Sequence, residues 1–249
     1  FHLRKNAKFH NGKAVTAQDV KWSLERATDP ATQAHTADLF LGDILGVPAK
    51  LQGHATEISG VHVIDDHTLS ITADATKPYF LSKLSYSTAF VLDRENVEGN
   101  PNWLRNPNGT GPFRLAEYSV GELIRLERNE FYHLGPPNLD EVQLILSGGD
   151  SMLMYENDEI DVTGIFLSQL DSVLDSSNPL SKDVQVAPPP FQIDYMGMNT
   201  NTPPFDDRKI RQALNYAIDK ESIANVLFQG LSISAQGILP PGMPGYNPD

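Results

Sequence analysis

Apolar residues recur along the chain at two spacings, which together predict helices and strands. Residues 17, 20, 24 and 27 are apolar at the spacing of one helix face. Thr16 and Asp19 form the pattern of a capping box where this stretch begins, and Asp29-Pro30 ends it. Residues 61–72 instead alternate between apolar and polar in two runs around a polar turn, which predicts a β-hairpin.

The same two spacings continue through the rest of the chain at irregular intervals. Asn157-Asp158 predicts a left-handed turn, and the prolines at 188–190 predict a stiff extended spacer. Short strands alternating irregularly with helices indicate an α/β (mixed α+β) protein with a mixed sheet, rather than a strict βαβ array. The other predicted strands are residues 1–4, 87–92, 113–118, 123–128, 142–146, 160–162 and 193–199. The other predicted helices are residues 78–84, 150–155, 168–174, 208–218 and 219–230.

The charge balance and the lack of cysteine narrow the classes of function. The 249 residues carry 32 acidic and 19 basic side chains, a formal net charge of −13, and no cysteine. Nucleic acid is the wrong partner, because the sequence has no cluster of lysine and arginine that could bind a phosphate backbone. Disulfides and thiolate metal sites are also excluded. The length fits one large domain or two smaller ones, and no apolar run is long enough to cross a membrane.

Paired carboxylates are candidates for catalysis, but each group also has a structural explanation. Carboxylates in turns and at helix starts accept backbone hydrogen bonds and interact favourably with the helix dipole. A catalytic role also stays open, so a carboxylate-dependent hydrolase that uses Asp65, Asp161 or Asp206 is an alternative function. The groups are Asp65-Asp66, Asp158-Glu159 with Asp161, and Asp206-Asp207.

No pattern in the sequence predicts a metal or a cofactor. The seven histidines are scattered without the spacing of a metal site, so we expect them at the surface. Gly109-Thr110-Gly111 leads into a predicted strand and lacks the lysine of a phosphate-binding loop. We therefore expect no cofactor and no metal.

Three blocks of sequence, in the same order, resemble a known family. The first is residues 1–26, the second is residues 109–115 with 126–129, and the third is residues 199–219. Together they make the chain resemble the family 5 extracellular solute-binding proteins, the peptide and nickel receptors of ABC importers, over nearly its whole length. One departure is Asp158, which stands where the family usually has glycine and must adopt a turn conformation with modest strain.

The resemblance implies a two-lobed receptor with the periplasmic-binding-protein type II-like fold, which closes on its ligand by a hinge. Family members are much longer, so we expect this chain to be a central fragment. Residues 1–108 correspond to a small extra lobe, 109–206 to part of the first main lobe, and 207–249 to a helical crossing toward the second.

The resemblance also implies a cellular location, a ligand and binding partners. We expect an exported protein that lies in the periplasm or at the cell surface. It is either free or held by a lipid anchor, and its signal segment lies outside this fragment. The implied ligand is a di- or oligopeptide, with a nickel chelate, haem or an oligosaccharide as alternatives. The implied partners are the membrane subunits of an ABC permease, and the implied state is a monomer without enzymatic activity.

Candidate ligand contacts follow from the strand that runs along the cleft in relatives, which corresponds to residues 193–199. A peptide beside an exposed strand gains main-chain hydrogen bonds, and tyrosine and methionine adapt to varied side chains. Alternating apolar residues are equally typical of a strand core, and that explanation stays open for Tyr195 and Met198. The candidates are Tyr195, Met196, Met198 and Asn199. Weaker candidates on the small lobe, where plain packing competes, are Tyr79, Phe80 and Tyr86.

Overall fold

The structure is a computed structural model that describes residues 1–188 and 190–247. The chain divides into two compact units, Phe1–Gly148 and Gly149–Asp249. Among the described residues, all the buried apolar side chains except Met152, Val173 and Ala224 belong to the first unit. The first unit therefore holds the main hydrophobic core.

Helix α1 (Ala17–Ala27) is the longest helix of the first unit and begins where the sequence predicts. The Thr16 hydroxyl accepts a hydrogen bond from the Asp19 amide at 3.4 Å, and the Asp19 carboxylate accepts one from the Thr16 amide at 2.8 Å. These reciprocal bonds satisfy donors that the first helical turn would otherwise leave unpaired. Ala17 and Leu24, on the predicted apolar face, are buried.

The core of this unit lies between α1 and a two-stranded antiparallel hairpin. Strands β1 (Val61–Asp65) and β2 (Thr68–Ile71) pair with Val61 opposite Ile71 and Val63 opposite Leu69, which confirms the predicted hairpin. The buried residues of the cluster are Ala17, Leu24, Leu41, Ile44, Val47, Ile58, Val61 and Leu69. The other helices of the unit are α2 (Ala37–Leu41), α3 (Val47–Leu51), α4 (Phe80–Lys83) and α5 (Arg94–Gly99). Short 3₁₀ helices span Pro30–Thr32, Ser87–Ala89 and Trp103–Arg105.

One glycine of this core cannot be replaced without strain. Gly46 precedes α3 with φ of +90°, and a Cβ there would lie 2.7 Å from the Ser59 amide nitrogen. Both the backbone conformation and the close approach therefore require glycine.

A three-stranded antiparallel sheet forms the remainder of the first unit. Its strands are β3 (Phe113–Ser119), β4 (Leu123–Arg128) and β5 (Glu141–Ile145), in the order β3-β4-β5. Gly121, with φ of +76°, makes the tight turn between β3 and β4. All three strands match their predicted positions within a residue or two, because each has local alternation and a turn signal beside it.

The regular secondary structure in the described residues of the second unit is helical, and long irregular stretches join the helices. Asp150 caps α6 (Ser151–Glu156) by accepting a hydrogen bond from the Met152 amide at 2.8 Å. Asp158 then takes φ of +58°, which confirms the left-handed turn predicted after this helix. The other helices are α7 (Leu167–Leu174), a 3₁₀ helix at Pro179–Lys182, α8 (Arg208–Ala217) and α9 (Lys220–Ser222), followed by a π-helical turn at Ile223–Leu227.

Four predicted strands are wrong or incomplete. Residues 1–4 make a single bridge, between His2 and Thr68, rather than a regular strand. Residues 160–162 and 193–199 are not strands, since they form no ladder of hydrogen bonds with another described segment. Residues 87–92 begin with a 3₁₀ helix, in which the Phe90 amide donates to the Ser87 carbonyl at 3.0 Å. The predicted proline spacer at 188–190 lies partly outside the described residues, at position 189.

Candidate functional site

The main candidate segment, residues 193–199, lies in the second unit and exposes two of its apolar side chains. Tyr195 is 78% exposed and Met196 is 62% exposed, whereas Met198 is half-buried. Asn199 is exposed, and its carboxamide oxygen accepts a hydrogen bond from the Asn201 amide at 3.0 Å. Within this unit, therefore, Tyr195 and Met196 do not form a packed strand core.

The backbone of the same segment is unpaired with the rest of the described chain. No main-chain hydrogen bond joins residues 193–198 to any other described residue, while turns close on both sides of them. The Gln192 amide donates to the Pro190 carbonyl at 2.8 Å, and the Thr202 amide donates to the Asn199 carbonyl at 3.1 Å. A run of free amides and carbonyls beside exposed tyrosine and methionine can bind an extended peptide.

The three weaker candidates lie near α4 in the first unit. Phe80 is half-buried and packs against the core cluster, so its role in packing is clear. The ring of Tyr86 stacks on Phe40 with a centroid distance of 3.7 Å and an interplanar angle of 2°. Tyr79 is 52% exposed, and the ammonium of Lys83 lies 5.2 Å from the centre of its ring.

A charged network accompanies these aromatic residues. The Asp43 carboxylate accepts hydrogen bonds at 2.6 Å from both Lys77 and Lys83. These bonds, first that from Lys77, hold the pKa of Asp43 below its ordinary value. Lys77 also pairs with Asp74 at 2.7 Å, and the bonds to Asp43 and Asp74 raise the pKa of Lys77. Asp43 thus fixes the position of the lysine beside Tyr79.

The carboxylates considered for catalysis have structural partners or lie in the open. Asp65 accepts a hydrogen bond from the His67 amide at 2.8 Å in the hairpin turn, and Asp206 accepts one from the Asp207 amide at 3.1 Å beside α8. Asp161 lines an open depression with Asp158 and with residues at the end of α6 and after it. In the described ranges, no three histidine or acidic side chains are grouped closely enough to hold a metal ion.

Sequence reasoning missed a junction centred on the carbonyl of Gly111. His10 Nε2 lies 3.2 Å from this oxygen, and the carboxamide of Asn129 donates to it at 2.8 Å. The sequence predicts histidines at the surface; four are exposed, whereas His10, His67 and His133 are half-buried. The available signal was that the first two family-like blocks contain these residues, but neither composition nor periodicity indicates that they meet.

Comparison with solved structures defines the class of fold. The structure of the Escherichia coli murein tripeptide binding protein MppA superimposes with a TM-score of 0.84 at 28% identity, covering 100% of this chain and 50% of that one. The chain therefore has the type II-like fold of the periplasmic binding proteins, as its sequence predicts.

Sequence comparison identifies the family. The chain belongs to the bacterial extracellular solute-binding proteins, family 5, whose "Middle" model matches residues 1–249. It is 31% identical to the periplasmic oligopeptide-binding protein OppA of Escherichia coli, over 97% of this chain and 46% of that protein. It is 30% identical to heme-binding protein A of Haemophilus influenzae, over 99% of this chain and 46% of that protein. The chain thus spans about half the length of these relatives.

Family membership bears on the alternatives raised by the sequence. The family and the structural neighbours are solute-binding proteins, not enzymes, so the hydrolase alternative has no support. Within residues 1–188 and 190–247, every helix is too short or too polar to span a bilayer.

Proposed function

We propose that the protein is an extracytoplasmic receptor of an ABC importer that binds di- and oligopeptides and delivers them to the permease. The ligand lies in a cleft between lobes that closes by a hinge. Family membership and the similarity to an oligopeptide-binding and a murein tripeptide-binding protein support this assignment.

The observation that carries the proposal is the unpaired backbone of residues 193–198 beside exposed Tyr195 and Met196. Main-chain groups recognise the peptide without regard to its sequence, because every peptide offers the same amides and carbonyls. Tyr195, Met196 and Met198 provide adaptable apolar contacts for the variable side chains. Asn199 shapes the end of the segment through its bond to the Asn201 amide.

The remaining sequence-based assignments belong to the same proposal. Residues 1–108 form the small extra lobe, 109–206 part of the first main lobe, and 207–249 the crossing toward the second. Tyr79, Phe80 and Tyr86 are secondary contacts on the small lobe. The receptor is a monomer in the periplasm or at the cell surface, with or without a lipid anchor.

Haem is the second candidate ligand. The specific observation in its favour is the 30% identity to a heme-binding protein over 99% of this chain. A nickel chelate and an oligosaccharide have no comparable support.

Native mass spectrometry of the whole protein separates these ligands. We expect a co-purified peptide, recovered unchanged, because a receptor binds without turnover. Co-purified haem, or binding of haem but no peptide in titration, would overturn the peptide assignment.

Replacement of Tyr195 tests the site separately from the ligand class. We expect Tyr195→Ala to weaken peptide binding about tenfold, measured by calorimetry on the whole protein, because a central aromatic contact is commonly worth more than about 1 kcal/mol. The control is Tyr216→Ala: Tyr216 is 87% exposed on α8, outside the segment, and its loss should leave affinity unchanged. Equal affinities for both variants would contradict a role for the segment.

A further inference from the structure

We propose that His10 is a proton-sensitive switch: its neutral ring accepts a hydrogen bond from the Gly109 amide in the turn at residues 109–111, and protonation of the ring breaks that bond. The proposal goes beyond peptide binding, since it concerns a junction inside the first unit and does not depend on the identity of any ligand.

The geometry of the ring defines its protonation state. The Gly109 amide donates a hydrogen bond to His10 Nδ1 at 3.2 Å, so this nitrogen must carry a lone pair. His10 Nε2 lies 3.2 Å from the Gly111 carbonyl, which can only accept, so Nε2 must carry the proton. Only the neutral tautomer protonated at Nε2 satisfies both contacts.

The backbone closes the same junction from the other side. The His10 amide donates to the Gly109 carbonyl at 2.8 Å, and the Asn11 amide donates to the Asn108 side chain at 3.0 Å. A Cβ on Gly109 would lie 3.4 Å from His10 Cε1, so the ring packs directly on the turn. The ring is therefore fixed between residues 109 and 111 and cannot turn over without breaking two bonds.

The surroundings favour the neutral ring in the folded protein. Burial lowers the pKa of His10; the carbonyls of Gly111 and Pro107 oppose this effect, and the positive charge of Arg114 adds to it. Asn108 also donates to Asp93, which belongs with Glu95 to a network around Lys13; one positive and two negative groups give it a net charge of −1, which leaves the direction of the His10 shift unchanged.

Protonation acts on one bond in particular. An imidazolium carries hydrogens on both nitrogens, so Nδ1 can no longer accept from the Gly109 amide, and two donors then face each other. The bond from Nε2 to Gly111 survives, and Asn129 continues to hold the same carbonyl at 2.8 Å. Acid therefore frees the Gly109 amide, while the bonds from the His10 amide to Gly109 and from the Asn11 amide to Asn108 remain, and the sheet that follows stays in place.

Hydrogen exchange of the whole protein measures this release of the Gly109 amide. After correction for the intrinsic pH dependence of exchange, the Gly109 amide, the one amide of segment 107–110 that the His10 ring accepts from, should exchange about fivefold faster at about pH 5 than at about pH 7.5, as expected for loss of one hydrogen bond of ordinary net strength. The segment 129–132 should be unaffected.

A matched pair of variants assigns the effect to the ring. In His10→Asn the side-chain oxygen can still accept from Gly109 but does not titrate in this range, so the pH dependence of segment 107–110 should disappear. In His62→Asn, which replaces an exposed histidine of β1, it should persist. Persistence in His10→Asn would overturn the proposal.

A measurement on the unmodified protein tests the proposal even if the His10→Asn variant does not fold. The ring of His10, followed by NMR with labelled histidine, should titrate below its ordinary value of about 6.5, with the same midpoint as the exchange of segment 107–110. Different midpoints would also overturn the proposal.

Discussion

Asp93 is a carboxylate that the fold has removed from water and surrounded with donors. Its side chain is 1% exposed and accepts hydrogen bonds from Lys13 at 2.9 Å, from the Asn108 carboxamide at 2.6 Å and from the Glu95 amide at 3.3 Å. Burial raises the pKa of Asp93, but the bonds from Lys13 and Asn108 outweigh it, and the pKa lies below its ordinary value. One residue thus caps α5 and joins the N-terminal segment to the turn before β3.

We expect Asp93→Ala to lower the free energy of unfolding by about 3 kcal/mol. The change removes a helix cap and leaves buried or half-buried donors without their acceptor, and each loss is costly. The measurement is denaturant unfolding of the whole protein.

Asp74→Ala is the matched control for this substitution. Asp74 is 48% exposed and pairs with Lys77, which keeps its bond to Asp43, so the cost should be about 0.5 kcal/mol or less. Equal losses of unfolding free energy in the two variants would show that the burial of Asp93 does not determine its contribution to stability.

The capping box of α1 shows which elements a sequence predicts well. Thr16, Asp19 and the apolar spacing lie within a few residues of one another, so the local chain alone specifies where the helix begins. The hairpin β1–β2 and the strands β3 and β4 are predictable for the same reason, because short turns join neighbouring partners.

Thr16→Ala should destabilise the protein by about 1 kcal/mol, because the Asp19 amide loses its acceptor and the Asp19 carboxylate loses the Thr16 hydroxyl, which donates to it at 2.8 Å. Thermal unfolding followed by circular dichroism measures the change. The control is Thr76→Ala at an exposed position, with an expected change within about 0.5 kcal/mol. A stabilised or unchanged Thr16→Ala protein would contradict the structural role of the cap.

The segments at 87–92 and 193–199 show where local pattern fails. Both segments have an alternating or strongly apolar sequence, which predicts a strand. A strand forms, however, only when a second backbone accepts its hydrogen bonds. In the first, 3₁₀ bonding and the stacking of Tyr86 on Phe40 prevail. In the second, the backbone of residues 193–198 has no partner among the described residues, which is the property that makes it a candidate peptide-binding segment.

At the scale of the whole molecule, the excess of acid sets the response to pH. Three carboxylates have folded-state pKa values below their ordinary values: Asp29, Asp43 and Asp93. Hydrogen bonds from the Ala31 amide and Lys50 lower the pKa of Asp29. Lysine partners contribute to the lowered pKa of Asp43 and of Asp93. Such carboxylates stabilise the folded state above the unfolded pKa, and this contribution is lost as pH falls through the folded pKa.

The Tm of the whole protein should therefore change little from about pH 7 to about pH 5 on account of these groups and fall below about pH 4. Scanning calorimetry across this range is the measurement. Asp43→Asn should show a shallower fall, because its side chain no longer titrates. A Tm that rises between pH 4 and pH 3 would contradict the assigned pKa directions.

The sequence by itself determined the elements whose signals are local, the lack of cysteine, and the family. Helix caps, short hairpins and ordered blocks of sequence need no knowledge of distant contacts. Only the tertiary structure decided that His10 and Asn129, which are 119 positions apart in the chain, share the carbonyl of Gly111, and that Asp93 is buried against Lys13. It also decided that Tyr195 and Met196 face solvent. These outcomes depend on which distant backbone and side-chain groups meet, and no local spacing encodes that.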